Sequence, residues 1–143
     1  MALIGGGGAG GAGNVAGGGN PAGTSFNLNY LGDFCYAYSG IVEQNAGDVT
    51  TLLDFTTGSE IAVVQITFDT SAISSDNISY VVLMNTQKIS EFVITGSADA
   101  DPSTKEPRRY VIPPFTRLQT TAKRVGGSDT QYSDCVLTGR IYA

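Results

Sequence analysis

The 143-residue chain contains no histidine, which removes the commonest general base, the usual activator of a nucleophile and the commonest metal ligand. Paired carboxylates are the remaining route to acid–base chemistry. Asp69, Asp76, Asp99, Asp101 and Asp129, however, are scattered through polar segments, where short acidic side chains serve as solvated turn residues. Asp99-Ala100-Asp101-Pro102-Ser103 starts like a calcium loop, with oxygens on alternate residues, but the sixth position is not glycine and Glu106 stands at the eighth position instead of the twelfth. Gly5, Gly7 and Gly10 match a dinucleotide fingerprint only formally, because that motif needs a strand before it and four residues precede Gly5. Cys35 and Cys135 have no metal-ligand spacing and are expected as buried thiols in neighbouring strands; whether they are bonded is left open by the spacing. No catalytic residue, cofactor or metal is expected, and the chain reads as a non-enzyme.

The residues left for function are those that make contacts. Lys105, Arg108 and Arg109, with Lys123 and Arg124 one strand later, are a candidate basic contact patch, and equally a solvated edge that resists aggregation. Seven tyrosines offer interface anchors, although most are expected in the core or half-buried. Residues 1–104 hold ten acids and one base, and residues 105–143 hold seven bases and three acids. Such polarity suits basic strands pairing with the chain's own acidic strands, or head-to-tail contact between copies or with an acidic neighbour. The overall charge of −5 argues against a nucleic-acid partner. No apolar run approaches a membrane span, so no membrane partner is expected. With no basic segment ahead of the glycines, no secretory signal is expected, and Asn77-Ile78-Ser79 is then a glycosylation sequon without a pathway.

Two regions must position these residues. Residues 1–24 carry 11 of the 19 glycines and no charge, so they lack the side chains to stabilise themselves and read as an extended arm. Leu3, Ile4 and Val15 are its only sizeable apolar side chains and the candidate partner contacts. Fully extended, the arm reaches roughly 80 Å. Residues 25–143 are the size of one domain and read as an antiparallel β-sandwich, jelly-roll-like, because strand-like segments recur every ten to twelve residues with turn chemistry between them.

The expected strands are Phe34 to Ser39 with Ile41-Val42 continuing, Val49 to Phe55, Ile61 to Phe68, Ile78 to Met84, Lys88 to Thr95, Arg109 to Ile112, Phe115 to Val125 and Asp134 to Tyr142. Ile61 to Phe68 is apolar on both parities, as expected of a central strand covered on both faces. Asn85-Thr86-Gln87 reads as a short hairpin connection. In the segment after Pro113-Pro114, Leu118, Thr120 and Ala122 share one face, and Arg117, Gln119, Thr121 and Lys123 the other.

Ile112-Pro113-Pro114-Phe115-Thr116, the terminal Leu137-Thr138-Gly139-Arg140-Ile141-Tyr142 and the run Thr50 to Glu60 together resemble the decoration, or cement, proteins of tailed-bacteriophage heads. That resemblance implies a structural virion protein, made in the host cytoplasm, on the capsid exterior. It implies attachment to the major capsid protein, self-association as a homotrimer and reinforcement of contacts between capsid subunits. A receptor- or glycan-binding module of a phage fibre or spike is the alternative, disfavoured by the absence of tryptophan. A hydrolase using scattered carboxylates ranks last.

Overall fold

In the computed structural model, residues 28–45, 47–70, 77–95, 106–126 and 131–142 are described. The Gly-rich arm, residues 1–24, lies outside them. Ten strands follow in order: β1 (Asn29–Leu31), β2 (Phe34–Tyr38), β3 (Val42–Gln44), β4 (Val49–Thr56), β5 (Ile61–Thr70), β6 (Asn77–Met84), β7 (Gln87–Thr95), β8 (Arg108–Ile112), β9 (Arg117–Val125) and β10 (Gln131–Tyr142). A six-stranded sheet has the order β1-β2-β10-β5-β8, with β3 also paired to β10, and a four-stranded sheet has the order β4-β9-β6-β7. Every pairing is antiparallel.

β2 and β3 lie successively along the same edge of β10. They are two halves of one strand, broken at Ser39-Gly40-Ile41, where Gly40 takes φ 71°. At the break the Ser39 N–H donates to the Cys135 carbonyl at 3.0 Å, and Ser39 Oγ accepts the Cys135 N–H at 2.8 Å. With β2 and β3 taken as one strand, β4 to β10 cross between the sheets in jelly-roll order, which confirms the expected fold class.

Alternation decides which residues enter the core. Ala62, Val64, Ile66 and Phe68 of β5 are buried, as are Ile78, Tyr80 and Val82 of β6 and Leu118, Thr120 and Ala122 of β9. In β4 both Leu52 and Leu53 are fully buried, against strict alternation, because a bulge between Thr51 and Leu53 adds a residue on the inner face. Thr120 Oγ1 accepts the Leu53 N–H at 3.1 Å. Tyr80 keeps its hydroxyl paired inside the sandwich, donating to the Asp69 carbonyl at 2.8 Å and lying 2.9 Å from Ser133 Oγ. Such pairing is what allows a buried polar group without a desolvation penalty. Phe68, Tyr80 and Phe92 form one aromatic cluster with centroids 5.0 to 5.4 Å apart.

The β6–β7 connection is the two-residue loop Asn85-Thr86, with φ of 47° and 70°, the twist-compatible hairpin turn. A β-branched residue is rare at positive φ; here the turn is held by β9, since Asn85 N–H donates to the Arg117 carbonyl and Asn85 Oδ1 accepts the Arg117 N–H, both at 2.9 Å. A second clamp joins the two sheet crossings. Thr57 Oγ1 donates to the Pro113 carbonyl at 2.8 Å and accepts the Thr116 N–H at 2.9 Å, and Phe115 N–H donates to the Gly58 carbonyl at 2.8 Å. Phe115 is held at φ 53° outside any strand, so β9 starts at Arg117 and not at Phe115 as the sequence suggests.

Gly139 marks the closest approach between β10 and β5. A Cβ there would stand 2.3 Å from the Val63 carbonyl oxygen and 2.7 Å from Val64 Cα, and backbone atoms cannot step aside as a side-chain tip can. Gly139→Ala is expected to destabilise the fold by about 3 kcal/mol, read as a lowered urea midpoint with an unchanged slope.

Candidate functional site

The two sheets differ in how their outer faces place charge. Outward positions on the four-stranded sheet carry two ion pairs beside an exposed Lys123 and the exposed Val49, Val93 and Val125. Arg117 donates to both Asp54 oxygens at 2.6 and 2.7 Å, and Lys88 pairs with Glu91 at 2.6 Å. The Arg117 hydrogen bond holds the Asp54 carboxyl below its ordinary pKa, and the Lys88 hydrogen bond does the same for Glu91.

Outward positions on the six-stranded sheet mix aromatic and apolar side chains with arginine, threonine and glutamine. Register aligns Phe34, Arg140, Val63 and Val111 in one row across four strands, and Tyr36, Thr138, Gln65 and Arg109 in the next. Tyr38, Val136 and Thr67 form a third row. The Arg140 guanidinium lies 4.6 Å from the Phe34 ring centroid, a cation–π contact, and the Tyr36 and Tyr38 rings are 5.4 Å apart. Phe34, Arg140 and Val63 of the first row, the whole second row and Tyr38 of the third line an open groove of about 620 Å³. Leu31 is 64% exposed, Val111 61% and Phe34 51%. Neither Arg109 nor Arg140 has an ion-pair partner among the described residues.

Leu3, Ile4, Val15 and Lys105 lie outside the described residues. The other four residues of the expected basic patch do not form one, because neighbours in a strand point to opposite faces and β8 and β9 belong to different sheets. Arg109 enters the groove, while Arg108 turns to the other side and lies 4.1 Å from the Phe92 ring centroid. Lys123 is exposed on the outer face of the four-stranded sheet. Arg124 is buried and its Nε donates to the Gly126 carbonyl at 2.9 Å. Arg140, which lines the groove with Arg109, is not singled out by the sequence; the available signal is the shared parity of Phe34, Tyr36 and Tyr38, whose row-mates only the strand order reveals.

Cys35 and Cys135 are buried and free. Cys35 pairs with Gly139, four residues along β10 from Cys135, or roughly 13 Å at strand rise, which precludes a disulfide. Burial pushes the Cys35 thiol up to about 11 and the Cys135 thiol up to about 12, so neither is a ready nucleophile. Among the described residues no group of three or more acidic, cysteine or histidine side chains is placed to hold a metal.

No family model matches the chain, and no curated protein matches it. Among solved structures, dimeric latent PorU from Porphyromonas gingivalis is similar over 84% of this chain and 14% of its own, with 14% identity and a TM-score of 0.36. The infectious bursal disease virus VP2 subviral particle is similar over 75% of this chain and 32% of its own, with 10% identity and a TM-score of 0.38. Eiger TNF from S. frugiperda is similar over 77% of this chain and 94% of its own, with 11% identity and a TM-score of 0.36. Likeness this loose transfers no role to the chain.

Burial also raises the Tyr30 and Tyr80 hydroxyls from 10.0 to about 12. The folded state therefore keeps protons on these tyrosines and on both thiols that the unfolded chain releases above about pH 9 to 10. Their contribution to stability is complete below that range and is lost as pH rises toward 12. Urea midpoints measured from pH 7 to 11 are expected to fall from about pH 9 upward, with a shallower fall above pH 10 in Tyr80→Phe.

Proposed function

We propose that the chain is a non-enzymatic structural protein of a viral shell: a decoration protein on the exterior of a tailed-phage capsid, reinforcing contacts between major capsid subunits. The observation that carries this reading is the inequality of the two outer faces. Both expose apolar side chains, but the four-stranded sheet pairs Asp54 with Arg117 and Lys88 with Glu91, whereas the six-stranded sheet sets exposed Phe34, Val63 and Val111 in one row with Arg140, which has no ion-pair partner among the described residues, the mark of a surface that another protein covers. Because a jelly roll hosts many functions, the argument rests on this face and on the glycine-rich arm, not on the fold. The arm, uncharged and nearly free of side chains, supplies backbone groups for attachment to the capsid protein.

A glycan-binding module is the second reading, favoured by the Tyr36–Tyr38 pair beside Arg109 in the groove. Binding on a glycan array that Arg109→Ala abolishes would select it.

Deleting residues 1–24 is expected to leave thermal unfolding of the body unchanged and to lower occupancy on purified heads at least about tenfold, the loss of one anchor of roughly 1.4 kcal/mol or more. Unchanged occupancy on those heads would remove the arm from the attachment.

A further inference from the structure

We propose that the outer face of the six-stranded sheet is covered by the same face of a second copy, through a two-fold axis lying in the interface at right angles to the strands. The inference rests on the reading of this face as a protein contact and names its occupant.

The first argument is charge. The two arginines of this face that have no ion-pair partner among the described residues, Arg140 and Arg109, sit toward one end of it in adjacent rows. At the other end Asp134 stands across from Asp69, and Tyr132 across from Glu43, all on the outward parity. The row of Tyr38, Val136 and Thr67 lies between. Along β10, Arg140 and Asp134 are six residues apart, roughly 20 Å. A two-fold axis perpendicular to the strands reverses the second copy end to end, laying its basic end over the acidic end of the first. An axis parallel to the strands would place arginine on arginine and carboxylate on carboxylate, which like-charge repulsion disfavours. Asp69 accepts the Thr70 N–H at 2.6 Å, and accepting an N–H does not neutralise a carboxylate.

The second argument is area. The strands of this sheet are 3, 5, 3, 10, 5 and 12 residues long, which at sheet spacing span on the order of 600 Å², the same order as the roughly 800 Å² per partner of a stable interface. The third is the pattern of β5. Ile61 and Val63 are apolar but 43% and 39% exposed, so a strand written for cover on both faces has cover on only one. A second copy supplies the rest. This symmetry differs from the homotrimer that the family resemblance implies.

The test is sedimentation velocity of the full chain at micromolar concentration. A dimer is expected. Arg140→Glu and Asp134→Arg are each expected to weaken it at least about tenfold, and the double swap to return it to within about threefold of wild type, since each copy then meets the reversed charge. All variants are checked by circular dichroism. Val136→Cys, close to the axis, is expected to yield a disulfide-linked dimer, and this variant holds the test open if a charge variant fails to fold. A monomer, a trimer, or a double variant no better than the single ones overturns the proposal. A wild-type monomer that still decorates purified heads overturns the two-fold while sparing the shell reading; a two-fold dimer that ignores the heads supports the two-fold and sinks the shell reading.

Discussion

Every inward and outward position in the larger sheet follows from the register of β10. It makes ten consecutive pairings with β5, from Ser133↔Thr70 to Tyr142↔Ile61, and on its other edge pairs first with β3 and then with β2. Because side chains alternate with a period of two, a slip of one residue would draw Val136 and Arg140 inward and expel Cys135 and Leu137. Gly139 fixes the choice sterically. Only a residue without a side chain fits against the Val63–Val64 backbone at that point, so neighbouring registers meet a clash before they lose any hydrophobic burial.

The same alternation separates two chemistries. Inside, hydroxyls such as Tyr80 and Thr120 are matched to specific acceptors or donors. Outside, the small sheet pairs Asp54 with Arg117 between strands and Lys88 with Glu91 within one, and leaves Lys123 exposed. The large sheet instead rests a guanidinium on an aromatic ring. A cation on a ring keeps its hydrogen-bond donors unspent, and that leaves the face both sticky and directional.

Much of this was legible in the residues themselves. The β9 pattern places Leu118, Thr120 and Ala122 inside as the sequence indicates, since its period is uninterrupted, and the β6–β7 hairpin follows from its spacing. The Leu52-Leu53 bulge escaped because a bulge depends on the facing strand, here on the Thr120 hydroxyl of β9. The short β1 escaped because three residues carry too little periodicity. Lys123-Arg124 and Arg108-Arg109 look like patches when read along the chain, yet pleating sends each neighbour to the opposite side. The groove was beyond reach for a further reason: its rows join β2, β10, β5 and β8, and no local signal states that order. The Thr57–Thr116 clamp, likewise, joins residues 59 apart in the chain.

The central place of β10 has a consequence in time. β2 and β5 both wait for it, and Cys35 meets Gly139 only after more than a hundred residues have passed. At ordinary synthesis speeds β2 spends roughly 5 to 20 s outside the ribosome before its partner strand emerges. During that interval β5 exposes apolar side chains and an unpaired edge. Half of the sandwich is withheld until the twelve residues of β10 arrive, so nascent chains stalled short of them are sticky intermediates and not smaller versions of the folded protein.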